Sequence, residues 1–232
     1  NKYSTGEWLK LLLKKIKDIR KIKKVPIIVG GTGLYFKALT DGLVEIPNIP
    51  LKVRNKTRSM QKKLGQKKFF NKLLKLDPKI KGKIDKNDVQ RSIRAYEIKY
   101  KTKKSIVDWF KRTKIFFSSE EFIKFYIDYP RDELLKRIYS RVEYMFKNGV
   151  IEEVRRFNKI GAKRENSSNK VIGITEITNL LNNQCTLQEA KDLIVIKTRQ
   201  YAKRQATWAR GQMQSWEKIN PKNLNLILKK LK

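Results

Sequence analysis

The residues most able to do chemistry here are Gly30-Gly31-Thr32-Gly33, set between two runs of different period. Residues 25–29, Val-Pro-Ile-Ile-Val, form a short β-branched run bounded by glycine, which reads as a buried parallel strand. From Leu34 the period turns helical, with Leu34, Tyr35, Ala38 and Leu39 on one face and Thr32 placed to cap that helix with its side-chain oxygen. Such a corner lets a ligand approach the backbone closely and offers unpaired amides to an anion. Any tight β-to-α turn also favours glycine, so the corner alone does not specify a ligand. It is not a Walker A loop, because none of the eleven glycines precedes Lys-Ser or Lys-Thr.

Two other groups invite a phosphate-bearing partner. Late in the chain Arg199, Lys203, Thr207 and Arg210 share one helical face as a line of cations, while Ile194, Tyr201 and Trp208 share another at heptad spacing. A solvated surface stripe has the same pattern. In residues 87–94, Asn-Asp-Val-Gln-Arg-Ser-Ile-Arg, an Asn or Asp cap starts a helix. Gln90, Arg91 and Arg94 then project from its first turn, suited to base edges and backbone phosphates. A plain capping sequence would look alike.

What is missing narrows the chemistry. The 232 residues contain no histidine, which removes the commonest general base, the Ser-His and Cys-His pairs and histidine zinc sites. The single cysteine, Cys185, excludes an internal disulfide and any cysteine-built metal centre. With no secretory signal and no apolar run long enough to cross a bilayer, a reducing cytosolic setting is expected. The net charge of +34 points to a partner rich in phosphate, although a general lysine bias contributes to it. Arginine says more than lysine in such a background, because only its planar fork makes bidentate phosphate or base contacts.

The elements that must hold these groups follow in order. Residues 5–24 carry a helical stripe of Trp8, Leu11, Leu12, Ile16, Ile19 and Ile22 leading into the strand, so helix, strand and helix form one slice of a doubly wound α/β sheet. No strand precedes that slice, which suggests that the sequence starts partway through a domain. After a linker punctuated by Pro47 and Pro50, residues 52–114 hold 23 Lys or Arg against 5 Asp or Glu, a net +18. Their apolar positions, among them Leu64, Phe69, Phe70, Leu73, Ile93 and Tyr96, are helical, and Pro78 and Gly82 break them into three or four helices. Residues 122–129 alternate and resume the sheet. Pro130 opens a helix with Asp132 and Glu133 in its first turn, Gly149 ends it, and 150–157 is a second amphipathic run. Residues 161–169 read as a polar loop. The capping box Thr186-Leu187-Gln188-Glu189 starts the last long helix, expected to stop at Gly211. The expected organisation is a core at 1–50, a helical insertion at 51–114 and a returning core with C-terminal helices at 115–232.

Four segments together resemble the tRNA dimethylallyltransferases, also called tRNA isopentenyltransferases: Tyr3-Ser4 with its helix, residues 26–39, residues 87–94, and residues 199–210 reading Arg-Gln-Tyr-Ala-Lys-Arg-Gln-Ala-Thr-Trp-Ala-Arg. The last is the most specific. The resemblance implies an α/β fold, a partial P-loop-type parallel-sheet core with a basic, mainly helical insertion that binds tRNA. It implies transfer of a dimethylallyl group from dimethylallyl diphosphate to the exocyclic amine of the adenosine 3′ of the anticodon. Thr32 matches the threonine at the reaction centre, and Gly30 and Gly31 lie where the diphosphate would sit. Arg54, Gln90, Arg91, Ser92, Ile93 and Arg94 match tRNA-contacting positions, as do Lys203, Arg204, Gln205, Thr207, Trp208 and Arg210. Arg199 and Lys203 are added as diphosphate ligands from the cationic face.

Family members open with a P-loop segment and an aspartate that acts as the base, and both would fall before Asn1. The resemblance therefore implies a C-terminal portion, inactive alone, whose Mg²⁺ ligands lie in the preceding segment. A monomeric cytoplasmic protein with the tRNA anticodon stem-loop as partner, and no membrane, is expected. Where the family has Gly-Tyr followed by a basic residue, this chain has Gly173-Ile174-Thr175, so a tRNA contact at 170–175 is not carried over, although Gly173 and Glu176 remain. The rival classes are a non-catalytic basic RNA-binding protein or remnant, and a small-molecule kinase-like phosphotransferase.

Overall fold

A computed structural model describes residues 4–161 and 167–223. Tyr3 and most of the expected loop at 161–169 lie outside the described residues. The chain divides into two compact units, residues 1–37 with 120–232 and residues 38–119. The expected insertion at 51–114 falls inside the second.

The first unit starts with α1 (Thr5–Lys21), fixed by a reciprocal cap: Ser4 Oγ accepts from Glu7 N at 3.2 Å and Glu7 Oε2 accepts from Ser4 N at 2.9 Å. Its inward face is centred on Leu9 and Ile16, while Leu11 and Ile22 from the expected stripe are exposed. The helix leads into residues 25–29 and the corner before α2 (Gly33–Thr40). Residues 25–29 are not the buried strand that their composition suggests. They pair with no strand among the described residues, and Val25, Ile27 and Val29 are 83%, 84% and 87% exposed. β-branched residues favour extended backbone, but burial needs neighbouring strands on the ladder, and none of the described ones supplies it.

The parallel pairing of this unit lies elsewhere. β3 (Phe125–Ile127), within the expected 122–129 segment, pairs with β4 (Glu217–Ile219), which the sequence pattern does not announce. Between them in sequence run α6 (Arg131–Lys147), α7 (Val150–Lys159), α8 (Ile174–Leu181) and α9 (Leu187–Gln212). Asp132 and Glu133 do occupy the first turn of α6, behind Pro130. Ile138, Val142, Val150, Val154, Ile177, Ile194 and Val195 form their shared core. Each such aliphatic side chain stabilises the packing by about 1.5–3 kcal/mol. The Thr186 capping box is present, and α9 runs through Gly211 to Gln212 before Met213 caps it.

The second unit is mainly helical: α3 (Leu51–Leu76), α4 (Val89–Thr102) and α5 (Ile106–Phe110). A short antiparallel ladder joins β1 (Leu43–Val44) to β2 (Thr113–Lys114). Gly42 stands beside it with φ +89°, where a Cβ would lie 2.9 Å from the Lys114 carbonyl carbon. Phe69, Phe70, Leu73, Ile80, Ala95, Tyr96, Ile98 and Ile106 form the core. Gly65, with φ 70° and ψ 166°, breaks α3 into two helical pieces, a break additional to those read at Pro78 and Gly82. The architecture is α/β with small sheets and a basic helical insertion.

Candidate active site

The glycine corner is clamped by α9. Gln205 Nε2 donates to the Gly31 carbonyl at 2.9 Å, and the Trp208 indole lies against Gly33. A Cβ on Gly33 would stand 2.8 Å from Trp208 Cε2 and closer still to Cδ1 and Nε1, so the approach requires glycine. Around the start of α2, Tyr35 stacks on Trp8 with centroids 4.5 Å apart, Phe36 meets Trp216 edge-on at 5.4 Å, and Lys37 donates to Gln212 Oε1.

Thr32 is exposed at the tip of this arrangement. It closes the first turn with its backbone carbonyl, which accepts from Tyr35 N at 2.9 Å, rather than with the expected side-chain cap. Among the described residues its hydroxyl has no hydrogen-bond partner, which leaves it available to a ligand.

The rotation of α9 decides which of its residues face the corner. At about 100° per residue, a helix that turns Gln205 toward Gly31 brings Tyr201, Trp208 and Gln212 to the same side. Lys203 and Thr207 then point about 160° away, and Arg199 and Arg210 stand about 120–140° from Gln205. All four are exposed. By this register the backbone directs Arg199 and Lys203, the expected diphosphate ligands, away from the Gly31 side of α9. The heptad set Ile194, Tyr201 and Trp208 stays on the corner-facing side but is unevenly covered: Ile194 is buried, and Tyr201 is 41% exposed. Arg204, about 100° from Gln205, has its guanidinium 5.6 Å from the Tyr201 ring centroid. The sequence pattern places Tyr201 and Trp208 on one face without Gln205 and Gln212; the i, i+4, i+7, i+11 register of the four is the signal that joins them. Trp208 Nε1 is buried with no protein acceptor, a donor held at the corner.

In the second unit Asp88, not Asn87, caps α4, accepting from Arg91 N at 2.9 Å. Gln90 and Arg91 are exposed, and among the described residues the Arg91 guanidinium pairs only with Asp88, i,i+3 at 3.5 Å, a near-surface pair worth about 0–1 kcal/mol. A phosphate can replace so weak a partner. Of the other residues expected to contact tRNA, Ser92 is fully buried, donating to Asp88 O at 2.6 Å and accepting from Gln66 Nε2 at 3.1 Å, and Ile93 packs on the core. Arg94 is half-buried and pairs with Glu97 at 3.4 Å. Arg54 lies in the first turn of α3, its Nε buried without a partner.

Gly173 has φ +108°, and its N–H donates to Glu176 Oε2 at 2.8 Å. Burial opposes ionisation of Glu176, but the hydrogen bonds from Lys197 and the backbone outweigh it and hold the carboxyl below its ordinary value. The pair is structural, and sequence reading had not joined Lys197 to Glu176.

Among the described residues no group of three or more His, Cys, Asp or Glu could hold a metal ion. No described helix is long and apolar enough to cross a membrane.

A glycine corner seated on a helix, where an extended segment turns into α2, together with a basic helical insertion, defines the class: an α/β protein with its backbone open at an extended-to-helix turn. The family model of IPP transferases matches residues 1–212. The tRNA dimethylallyltransferase of Pelagibacter ubique (strain HTCC1062) is 59% identical over 231 residues, covering 100% of this chain and 74% of the relative. That of Rickettsia massiliae (strain Mtu5) is 38% identical, covering 98% of this chain and 64% of its own length. Among solved structures, a eukaryotic dimethylallyltransferase acting on tRNA matches with TM-score 0.71 at 27% identity, over 90% of this chain and 53% of that one. The full-length tRNA isopentenylpyrophosphate transferase from Bacillus halodurans gives 0.60 at 28% identity, over 95% and 68%. This chain belongs to the IPP transferase family.

Proposed function

We propose that the chain works in a tRNA dimethylallyltransferase, moving a dimethylallyl group from its diphosphate to the exocyclic amine of the adenosine 3′ of a tRNA anticodon. The amine is a weak nucleophile, because its lone pair is delocalised into the purine. Its nitrogen attacks the allylic carbon, the carbon–oxygen bond to the diphosphate breaks, and a base takes the amine proton. The observation that carries this reading is the free Thr32 hydroxyl at the start of α2, beside helix amides that favour the diphosphate and held by the Gln205 and Trp208 clamp. The side chains that meet the corner's glycines, Phe36, Gln205 and Trp208, include no carboxylate. The base and the Mg²⁺ ligands are accordingly assigned to the part that the longer relatives carry beyond this match. The exposed Gln90 and Arg91, with Arg54 and Arg94, are assigned to tRNA, as is the outward row of Lys203, Thr207 and Arg210. The protein is read as a cytoplasmic monomer.

Labelled dimethylallyl diphosphate and an anticodon stem-loop test the reading. No turnover is expected from these 232 residues alone, and turnover when they are joined to the additional segment of the Pelagibacter relative. Transfer by the bare chain would refute the placement of the base. RNA affinity with no transfer in either form would favour the binding-only alternative that the charge of +34 allows.

A further inference from the structure

We infer that a hollow between the C-terminal end of α4 and α5 seats one unstacked nucleotide of a bound RNA strand, its base on the Trp109 indole and its phosphates on Lys111 and Arg112. The inference rests on the RNA binding proposed above but concerns a different place: by the helix rise, Arg91 and Thr102 are about 16 Å apart along α4. The hollow, of about 340 Å³, is lined by Lys104, Asp108, Trp109, Lys111 and Arg112. That size suits a nucleotide.

Its floor is rigid. Trp109 Nε1 donates to Thr102 Oγ1 at 3.2 Å, and Thr102 Oγ1 donates in turn to the Ile98 carbonyl at 2.8 Å, which fixes the ring plane. Part of the indole packs on the core of the unit, so the platform is ordered before any ligand arrives. Lys104 Nζ sits 5.8 Å from the ring centroid, a cation on the same surface.

The electrostatics are one-sided. Asp108 is the only acid in the lining, and Lys79 already holds it at 2.8 and 3.0 Å. That hydrogen bond, with Lys111 and Lys99 nearby, keeps its carboxyl below the ordinary value, so it stays an anion with its own partner. Among the described residues, Lys104, Lys111 and Arg112 have no carboxylate at ion-pair distance. Phe110 is 57% exposed next to the hollow, and Tyr100 is 43% exposed under Lys103 at 5.5 Å. Aromatic faces interleaved with unpaired cations are how single-stranded nucleic acid is held: stacking takes the base whatever its identity, and the cations take the backbone. A regular duplex, whose bases are already stacked, gains only the charge.

The test titrates the full chain against a fluorescent anticodon stem-loop over a salt series. Lys111 and Arg112 are exposed, so the double variant Lys111→Gln/Arg112→Gln keeps the fold, checked by circular dichroism. It is expected to weaken binding and reduce the slope of log K against log salt by about two. Trp109→Phe, which retains an aromatic floor, is expected to weaken stem-loop binding severalfold with the slope unchanged and to leave blunt duplex RNA unaffected. Unchanged affinity and slope in the double variant overturn the inference. So does equal competition by uridine monophosphate or polyglutamate, which would make the hollow a mononucleotide or acidic-peptide site. If Arg91→Ala weakens binding while the hollow variants do not, the hollow is wrong and the tRNA reading stands; if the unmodified chain binds no RNA, both fall.

Discussion

Gln205 and Gly31, 174 residues apart in sequence, are joined by a 2.9 Å hydrogen bond that sets the orientation of α9 against the glycine corner. Because the bond uses the carbonyl of Gly31, it turns the corner without occupying the Thr32 hydroxyl. Gln205→Ala removes one neutral hydrogen bond and should destabilise the fold by about 0.5–1.5 kcal/mol. Prenyl transfer in the extended enzyme should fall through kcat more than through KM for tRNA, since the corner and not the insertion is loosened. Steady-state kinetics with both substrates varied would show it.

The two glycines of the corner should respond differently to a methyl group. At Gly31 the added Cβ meets the end of the flexible Gln205 side chain, which can move aside with loss of its bond. At Gly33 it meets the Trp208 indole, a rigid plane rather than the end of a flexible chain. Gly33→Ala should lower stability by about 1–3 kcal/mol, and Gly31→Ala by less, read from urea unfolding.

Ser92 and Arg91 are neighbours with opposite duties. Ser92→Ala removes the hydroxyl that accepts from Gln66 Nε2 and donates to Asp88 O, each bond contributing about 0.5–1.5 kcal/mol, so Tm should drop with RNA affinity unchanged, although Gln66 keeps its bond to the Lys86 carbonyl. Arg91→Ala should leave Tm in place, weaken RNA binding and reduce the salt slope by about one. If Ser92→Ala alone altered affinity in the still-folded protein, its assignment to the core would be mistaken.

Glu176 makes the first unit acid-sensitive. Its carboxyl is held below its ordinary 4.5 in the folded chain, so its contribution is full above that value and is lost as pH falls through the lower, folded one. Melting curves between pH 7 and pH 3 should show Tm dropping below about pH 4.5. Glu176→Gln should be less stable at neutral pH and show a shallower acid limb.

Local signals were legible from the letters alone. The Thr186 capping box, the acidic first turn behind Pro130 and the start of α4 at Asp88 act over three or four residues and need no distant partner. The corner itself was legible for the same reason: a change of hydrophobic period across four residues marks where an extended segment becomes helix. Other features were set by partners far along the chain. Residues 25–29 have the composition of a buried strand, yet burial depends on neighbours that their own sequence cannot provide. Ser92 looks like a polar surface residue until Gln66 meets it, and β4 is three ordinary residues until β3 offers a ladder. The line of cations on α9 was visible as a periodicity, but a periodicity has no direction. Its heading was decided by Gln205 and Trp208 closing on Gly31 and Gly33, because a helix can present only one face to a neighbour and the tertiary contact chooses which.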